Sequence, residues 1–267
     1  MAQFLLIDAS YYLFYRYYAL TQWWKHAKPD DELGLPIENK DFMNRFESVF
    51  IKKINEFVKK MKLNDPIIIV GKDCPRKDIW RMGLFEKYKG NRVYEDNWPG
   101  GPVFKYAFDE QLFKKAGAHM ILNHPHLEAD DCIALSIRNI RGICPNALIY
   151  ILTSDMDYLQ LADSKTFPVN LKYKYLTDSK CSFKDSKKDL FCKIVTGDKS
   201  DFIPSIFKKC GIKTASKYYE NPELFKKKLG EGGAAEQYKL NTTLIDFNSI
   251  PEKYVKEFNS GDYTIKY

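Results

Sequence analysis

No stretch of this sequence stays apolar for the roughly 20 residues that cross a bilayer, so no membrane-spanning helix is expected. The opening MAQFLLID has no basic lead-in, and an acid interrupts it at position 8, so it does not read as a signal peptide. The six cysteines (74, 132, 144, 181, 192 and 210) form no C-x-x-C pair and show no zinc spacing. They read as reduced thiols of a soluble, intracellular protein. Histidine is scarce, and the four present (26, 119, 124 and 126) give no ligand pattern. There is no internal repeat and no low-complexity segment.

What is present is a core. The chain has 267 residues, 45% hydrophobic and 15% aromatic, which suits a folded protein with a sizeable interior and two sub-structures. Basic residues number 42 and acidic ones 35, a net charge of +7 that permits a polyanionic partner without proving one. Bases gather in KKINEFVKKMK (52–62), RKDIWRMGLFEKYKGNR (76–92) and FKKCGIKTASK (207–217).

Four apolar runs read as strands: QFLLI (3–7), PIIIV (66–70), AHMIL (118–122) and ALIYIL (147–152). Between them lie helical patterns, most clearly FMNRFESVFIKKINEFVKKM (42–61), whose apolar residues recur close to every 3.6 positions. This alternation predicts an α/β fold, a twisted and mostly parallel sheet flanked by helices.

Each run is followed by acid: Asp8, then Asp73, then Glu128, Asp130 and Asp131, then Asp155 and Asp157. A parallel sheet collects its strand C-termini on one edge, where open α/β folds place ligands, so these carboxylates should converge. Asp155 and Asp157, if extended, point to the same side roughly 7 Å apart. Asp130 and Asp131 open a helix, where the dipole favours negative charge. Taken singly, each acid is a cap or a turn residue. Taken together, two unit charges about 5 Å apart repel by roughly 3 kcal/mol at an effective dielectric near 20, so the cluster needs cations. Oxygen-only ligands point to magnesium or manganese. A pair of such ions is the usual apparatus of phosphodiester hydrolysis.

At this point the sequence resembles the 5′ nucleases: flap endonucleases, the exonuclease domain of bacterial DNA polymerase I, and phage ribonuclease H-like 5′-3′ exonucleases. The blocks that carry it, in order, are LLIDASYYLFYRYYAL (5–20), GKDCPRKDIWRMGLFEKYKGNR (71–92), LEADDCIA (127–134), TSDMDYLQL (153–161) and TGDKSDFIPSIFKKCGIKTASK (196–217). LIDFNSIP (244–251) is similar to the phage branch and suggests a viral or phage source.

The resemblance implies a PIN-like core over 1–180 with an arch or gateway at 76–117. It implies a helical DNA-binding region over 181–267 with a helix-hairpin-helix at 196–219. It implies that Asp8, Asp73, Glu128, Asp130 and Asp155 serve the first metal, and Asp131, Asp157, Asp198 and Asp201 the second. Lys89 and Arg92 would grip the scissile phosphate, Tyr88 would stack on a terminal base, and Arg16 would contact DNA. The hairpin keeps Gly211, Lys213, Thr214 and Ala215 but has lysine or cysteine where the family's first glycine belongs, so Lys208 and Lys209 substitute charge for close backbone approach. NWPGGP (97–102), within the arch, reads as non-helical.

The implied activity is two-metal 5′-3′ exonuclease or flap endonuclease cleavage in DNA replication, repair or recombination. The implied cofactors are two Mg2+ ions, with Mn2+ as substitute and a K+ ion at the hairpin. The implied partners are DNA with a 5′ flap, nick or free 5′ end, an RNA–DNA hybrid, and replication proteins, with the enzyme a monomer. Two alternatives stay open: a non-catalytic structure-specific DNA-binding relative, and an RNA-directed nuclease of the same fold. A D-x-D phosphatase is disfavoured, because Ser10 stands where its second acid belongs.

Overall fold

The computed structural model describes residues 1–92 and 97–261. Five strands, β1 (Gln3–Asp8), β2 (Ile67–Gly71), β3 (Ala118–Leu122), β4 (Leu148–Leu152) and β5 (Thr166–Val169), form one sheet in the order β3-β2-β1-β4-β5. Every pairing within it is parallel. The hydrophobic pattern explains the layers. Successive strand residues face opposite sides, so Leu5, Ile7, Ile68 and Val70 join one core while Phe4, Leu6, Ile69 and Ile149 join the other. The first core is roofed by α1 (Ala9–Ala27), α2 (Lys40–Lys60), α3 (Gly100–Asp109) and α4 (Leu112–Lys115). The second is roofed by α5 (Ala129–Ile143).

The remaining helices, α6 (Ser186–Thr196), α7 (Ile212–Glu220), α8 (Pro222–Leu229) and α9 (Ala234–Ile245), enclose a third core. Cys192, Val195, Ala215, Phe225 and Leu244 meet there with Ile79 and Tyr88 from the segment that follows β2. Finally α10 (Glu252–Ser260) returns to α5, with Phe258 buried in the second core.

Three local expectations are corrected. A fifth strand exists. Its TFPV sequence conceals it, because proline weakens a strand reading. Here Pro168 lies on an edge strand, where a missing N–H is tolerated. The segment after β4 is not extended: Met156–Leu161 is a 3-10 helix capped by Asp155, whose carboxylate accepts from the Asp157 N–H at 2.9 Å. NWPGGP is partly helical. Gly100 begins α3, and Pro102 sits in its first turn, where a backbone N–H has no intrahelical acceptor to lose. Of the arch region 76–117, residues 93–96 lie outside the described residues. Its helix α3 packs against α1, with Phe104 on Phe14 at 4.8 Å. The final residues of the 181–267 region, 262–267, also lie outside the described residues.

Gly197 turns the chain out of α6. Its φ is +70°, and a Cβ there would lie 2.4 Å from the Ile203 carbonyl oxygen. Gly197→Ala should therefore destabilise the fold by roughly 2–4 kcal/mol, combining backbone strain with a steric clash. Gly142→Ala, in the last turn of α5 with nothing within 4 Å of the new Cβ, should instead stabilise it by about 0.5 kcal/mol. Urea unfolding of both variants against wild type checks the pair.

Candidate metal centre

The C-terminal edge of the sheet delivers acids from separate parts of the chain to one place. Asp8 ends β1 and caps α1, accepting from the Tyr11 N–H at 3.0 Å. Asp73 follows β2. It accepts from the Ser10 hydroxyl at 2.5 Å and from the Ala129 N–H at 2.9 Å, which ties the first strand end to the start of α5. That approach is close because Gly71 lacks a side chain: a Cβ would stand 2.8 Å from the Ala129 carbonyl oxygen. Thr153, at the end of β4, donates to Asp8 at 3.3 Å.

Two carboxylate triads result. Glu128, Asp130 and Asp131 bring oxygens within 4.8 Å of one another, as do Asp157, Asp198 and Asp201. Among the described residues, the acids at this edge outnumber the cations that touch them, Arg81, Lys89, Arg92 and Lys193. Arg81 is 2% exposed. It forks onto Asp131 with two 2.7 Å bonds and reaches Glu128 at 3.0 Å. Lys89 donates to Glu128, and Arg92 to Asp201 at 2.8 Å. Lys193 bridges Asp157 and Asp198.

The electrostatics record the crowding. Burial and then the neighbouring Asp73 push Asp8 up to about 7. Burial, with Asp131 and Glu128 beside it, holds Asp130 well above the usual carboxylate range. Burial also raises Asp157 to about 7, with Asp155 adding to the rise and Lys193 opposing it. Burial pushes Glu128 upward too, but Lys89 and Arg81 outweigh it and leave Glu128 below its ordinary value. Oxygen-only carboxylates held together in this way suit hard divalent cations.

The structure brings Asp8, Asp73, Glu128, Asp130, Asp131, Asp155, Asp157, Asp198 and Asp201 to this edge, with some changes of role. Asp131, expected with the second ion, belongs to the triad of Glu128 and Asp130. Its oxygens are engaged by Arg81, by the Trp80 indole N–H at 2.9 Å and by the Glu128 N–H at 3.2 Å. Tyr88 is not a stacking platform. It is 3% exposed, and its hydroxyl donates to Glu128 at 2.9 Å and lies 3.2 Å from Asp201, joining the two triads. Arg16 does not present itself to a nucleic acid: it is 8% exposed, its guanidinium 4.6 Å from the centre of the Tyr15 ring.

In the hairpin, Lys208, Lys209, Gly211 and Lys213 are exposed, and the Thr214 N–H donates to the Gly211 carbonyl at 2.9 Å. Lys209 has a φ of +57°, so a lysine takes up a left-handed conformation that ordinarily favours glycine. Sequence reasoning missed Arg81, Trp80, Ser10 and Lys193. Arg81 and Trp80 lie inside a basic run that looks like solvated surface. Lys193 stands five residues before Asp198 on a helix whose facing acid comes from a different strand end.

The family model described as 5′-3′ exonuclease, N-terminal resolvase-like domain, matches residues 3–188. No curated protein matches the chain by sequence. Among solved structures, bacteriophage T5 5′-exonuclease with bound zinc ions is similar at a TM-score of 0.67 and 18% identity, over 96% of this chain and 96% of that one. A bacteriophage T5 flap endonuclease variant, in a pseudo-enzyme-product complex with DNA and metal ions, gives 0.66 at 16% identity over 96% of both chains. A lysine-to-alanine mutant of the T5 5′-exonuclease gives 0.65 at 15% identity, over 97% of this chain and 96% of that one. At these identities the likeness is one of fold. The family match is of a different kind: it runs from the first strand into α6 and takes in the strand ends that carry Asp8, Asp73, Glu128, Asp130, Asp155 and Asp157. This chain belongs to the 5′-3′ exonuclease family, whose members are hydrolases.

Proposed function

We propose that the protein is a structure-specific 5′-3′ exonuclease or flap endonuclease. It hydrolyses phosphodiester bonds near 5′ ends or single-strand/duplex junctions, using two magnesium ions for which manganese can substitute. The observation that carries this reading is the pair of carboxylate triads at the strand C-termini, with Lys89 beside one and Arg92 beside the other. Two such ions held by these carboxylates would activate a water nucleophile and offset charge on the phosphate under attack. Asp8, Asp73, Glu128, Asp130 and Asp155 hold one side of the centre, and Asp157, Asp198 and Asp201 the other. Asp131 orients Glu128 through Arg81. Lys89 and Arg92 exchange their carboxylate partners for the scissile phosphate, whose growing charge they stabilise.

A cavity of about 780 Å³ leads from Asp73 and Glu128 past Lys89 to Phe14, Tyr18 and Trp98. Phe14 and Tyr18 are 43% and 48% exposed, with rings 6.2 Å apart and only 12° from parallel. This shelf, rather than Tyr88, suits stacking on unpaired bases. Residues 1–180 form the catalytic core in this reading. The helices beyond it hold duplex DNA through the 196–219 hairpin. The likeness to a T5 flap endonuclease crystallised with DNA supports a DNA substrate, and the process served is replication, repair or recombination.

The direct test is single-turnover cleavage of a flap DNA labelled at each end. Cuts should fall within a nucleotide or two of the junction, leaving 5′-phosphate and 3′-hydroxyl products. Asp130→Asn and Asp155→Asn should each abolish cleavage while keeping DNA binding within a few-fold. Normal turnover by both variants, or digestion from the 3′ end, contradicts the reading.

Duplex binding should be electrostatic and indifferent to sequence. Lys209→Ala with Lys213→Ala should lower the slope of log affinity against log salt by about 0.9 for each phosphate no longer neutralised. Fluorescence anisotropy across a salt series measures it.

Ion binding should release protons, because Asp8 and Asp157 sit at about 7 in the ion-free protein and must ionise to ligate. Apparent affinity for Mg2+ should therefore climb between about pH 6 and 8. Without ions, the same raised carboxyls stabilise the fold at low pH, and that contribution is lost as pH rises from about 4 through about 7. Calorimetry in buffers of different ionisation enthalpy reads the protons directly.

A further inference from the structure

Among the described residues, four cationic side chains touch the carboxylates of the two triads, and they differ in how firmly they are held. Arg81 is 2% exposed and bidentate, with its Nε spent on the Leu244 carbonyl at 2.8 Å. Lys193 is different. Its ammonium lies 2.7 Å from Asp198 and also contacts Asp157, so it stands between two members of one triad. Its side chain is 25% exposed. Beside it is a cavity of about 160 Å³, lined by Asp157, Lys193 and Asp189 among others. Asp189 lies one turn earlier on α6, at the i−4 position, and uses one bond per oxygen, from the Ser182 hydroxyl and the Phe183 N–H, each at 2.8 Å.

We propose that Lys193 is a displaceable counter-cation. Its ammonium occupies the Asp157–Asp198 half of the centre until a divalent ion arrives, and then swings along α6 to Asp189. This rests on the two-ion reading above and goes beyond it. A divalent ion and an ammonium cannot share the same two oxygens, because like charges a few ångströms apart repel strongly in a partly buried site. Asp at i with Lys at i+4 is the favourable order on a helix. The adjacent cavity gives the flexible lysine stem room to move. An arginine, with its planar fork, would stay bidentate and keep the ion out.

The competition has a measurable sign. If the ammonium fills the site about nine-tenths of the time, removing it tightens apparent ion affinity about tenfold. The probe is Mn2+ alone, with the free ion counted by electron paramagnetic resonance as it is titrated into wild type, Lys193→Met and Asp189→Asn. Melting temperatures are taken in chelator and in saturating Mn2+. One of the two Mn2+ steps should tighten in Lys193→Met and weaken in Asp189→Asn, where the displaced ammonium has lost its second partner. Lys193→Met should melt lower than wild type in chelator and recover in Mn2+. Unchanged affinity, or a melting deficit that persists in Mn2+, makes Lys193 a structural ion-pair partner and overturns the proposal. If Lys193→Met does not fold, Asp189→Asn decides, since unaltered Mn2+ binding there equally overturns it. A wild type that takes up no Mn2+ refutes the two-ion reading itself, and the lysine exchange with it.

Discussion

The buried guanidinium of Arg81 holds the centre together. A charge removed from water costs several kcal/mol unless its donors are all engaged, and those of Arg81 reach Asp131, Glu128 and the Leu244 carbonyl. The three partners belong to the start of α5 and the end of α9. One side chain therefore fixes the segment after β2, a triad of carboxylates and the helical region against one another. Lysine could not do this, because an ammonium lacks the planar fork that meets a carboxylate with two parallel bonds.

Around that fixed point further hydrogen bonds join the same parts of the chain. The Lys89 N–H donates to the Asp201 carbonyl at 2.9 Å, and Asn91 to the Lys199 carbonyl at 2.8 Å. Gln160 spans from the 3-10 helix after β4 to Ile245 and Phe247. Buried Asn241 holds the carbonyls of Ile194 and Pro204, which bracket the turn carrying Asp198 and Asp201. The sheet and the helical region thus meet through directional bonds around the carboxylates as well as through shared apolar packing.

Much of this is legible in the chain. The apolar runs mark four strands, because parallel strands are buried on both faces and need not alternate. The acids after them mark the edge where they converge. The E-A-D-D block marks the start of α5. What stays hidden depends on tertiary partners. Tyr88 reads as a base platform, yet it is a buried hydroxyl between Glu128 and Asp201. Arg81 reads as one base in a basic run, yet it is among the most buried side chains of the protein. Asp131 reads as the equal of Asp130. The difference lies in Arg81 and Trp80, some fifty positions away in sequence. Strand β5 escapes a sequence reading because proline counts against a strand when position within the sheet is unknown.

That proline has a further consequence. The carbonyls of Lys165, just before β5, and of Val169, its last residue, point toward β4 and accept from Ile149 and Thr153. By alternation Pro168 points the other way, along the outer margin of the sheet. The amide it lacks is one that an incoming strand would need. An open row of backbone donors is a template on which a second chain can build, and a four-residue margin with a gap in it is a poor one. The residue that obscures the strand in the sequence therefore also leaves a gap in the backbone donors along that side of the sheet.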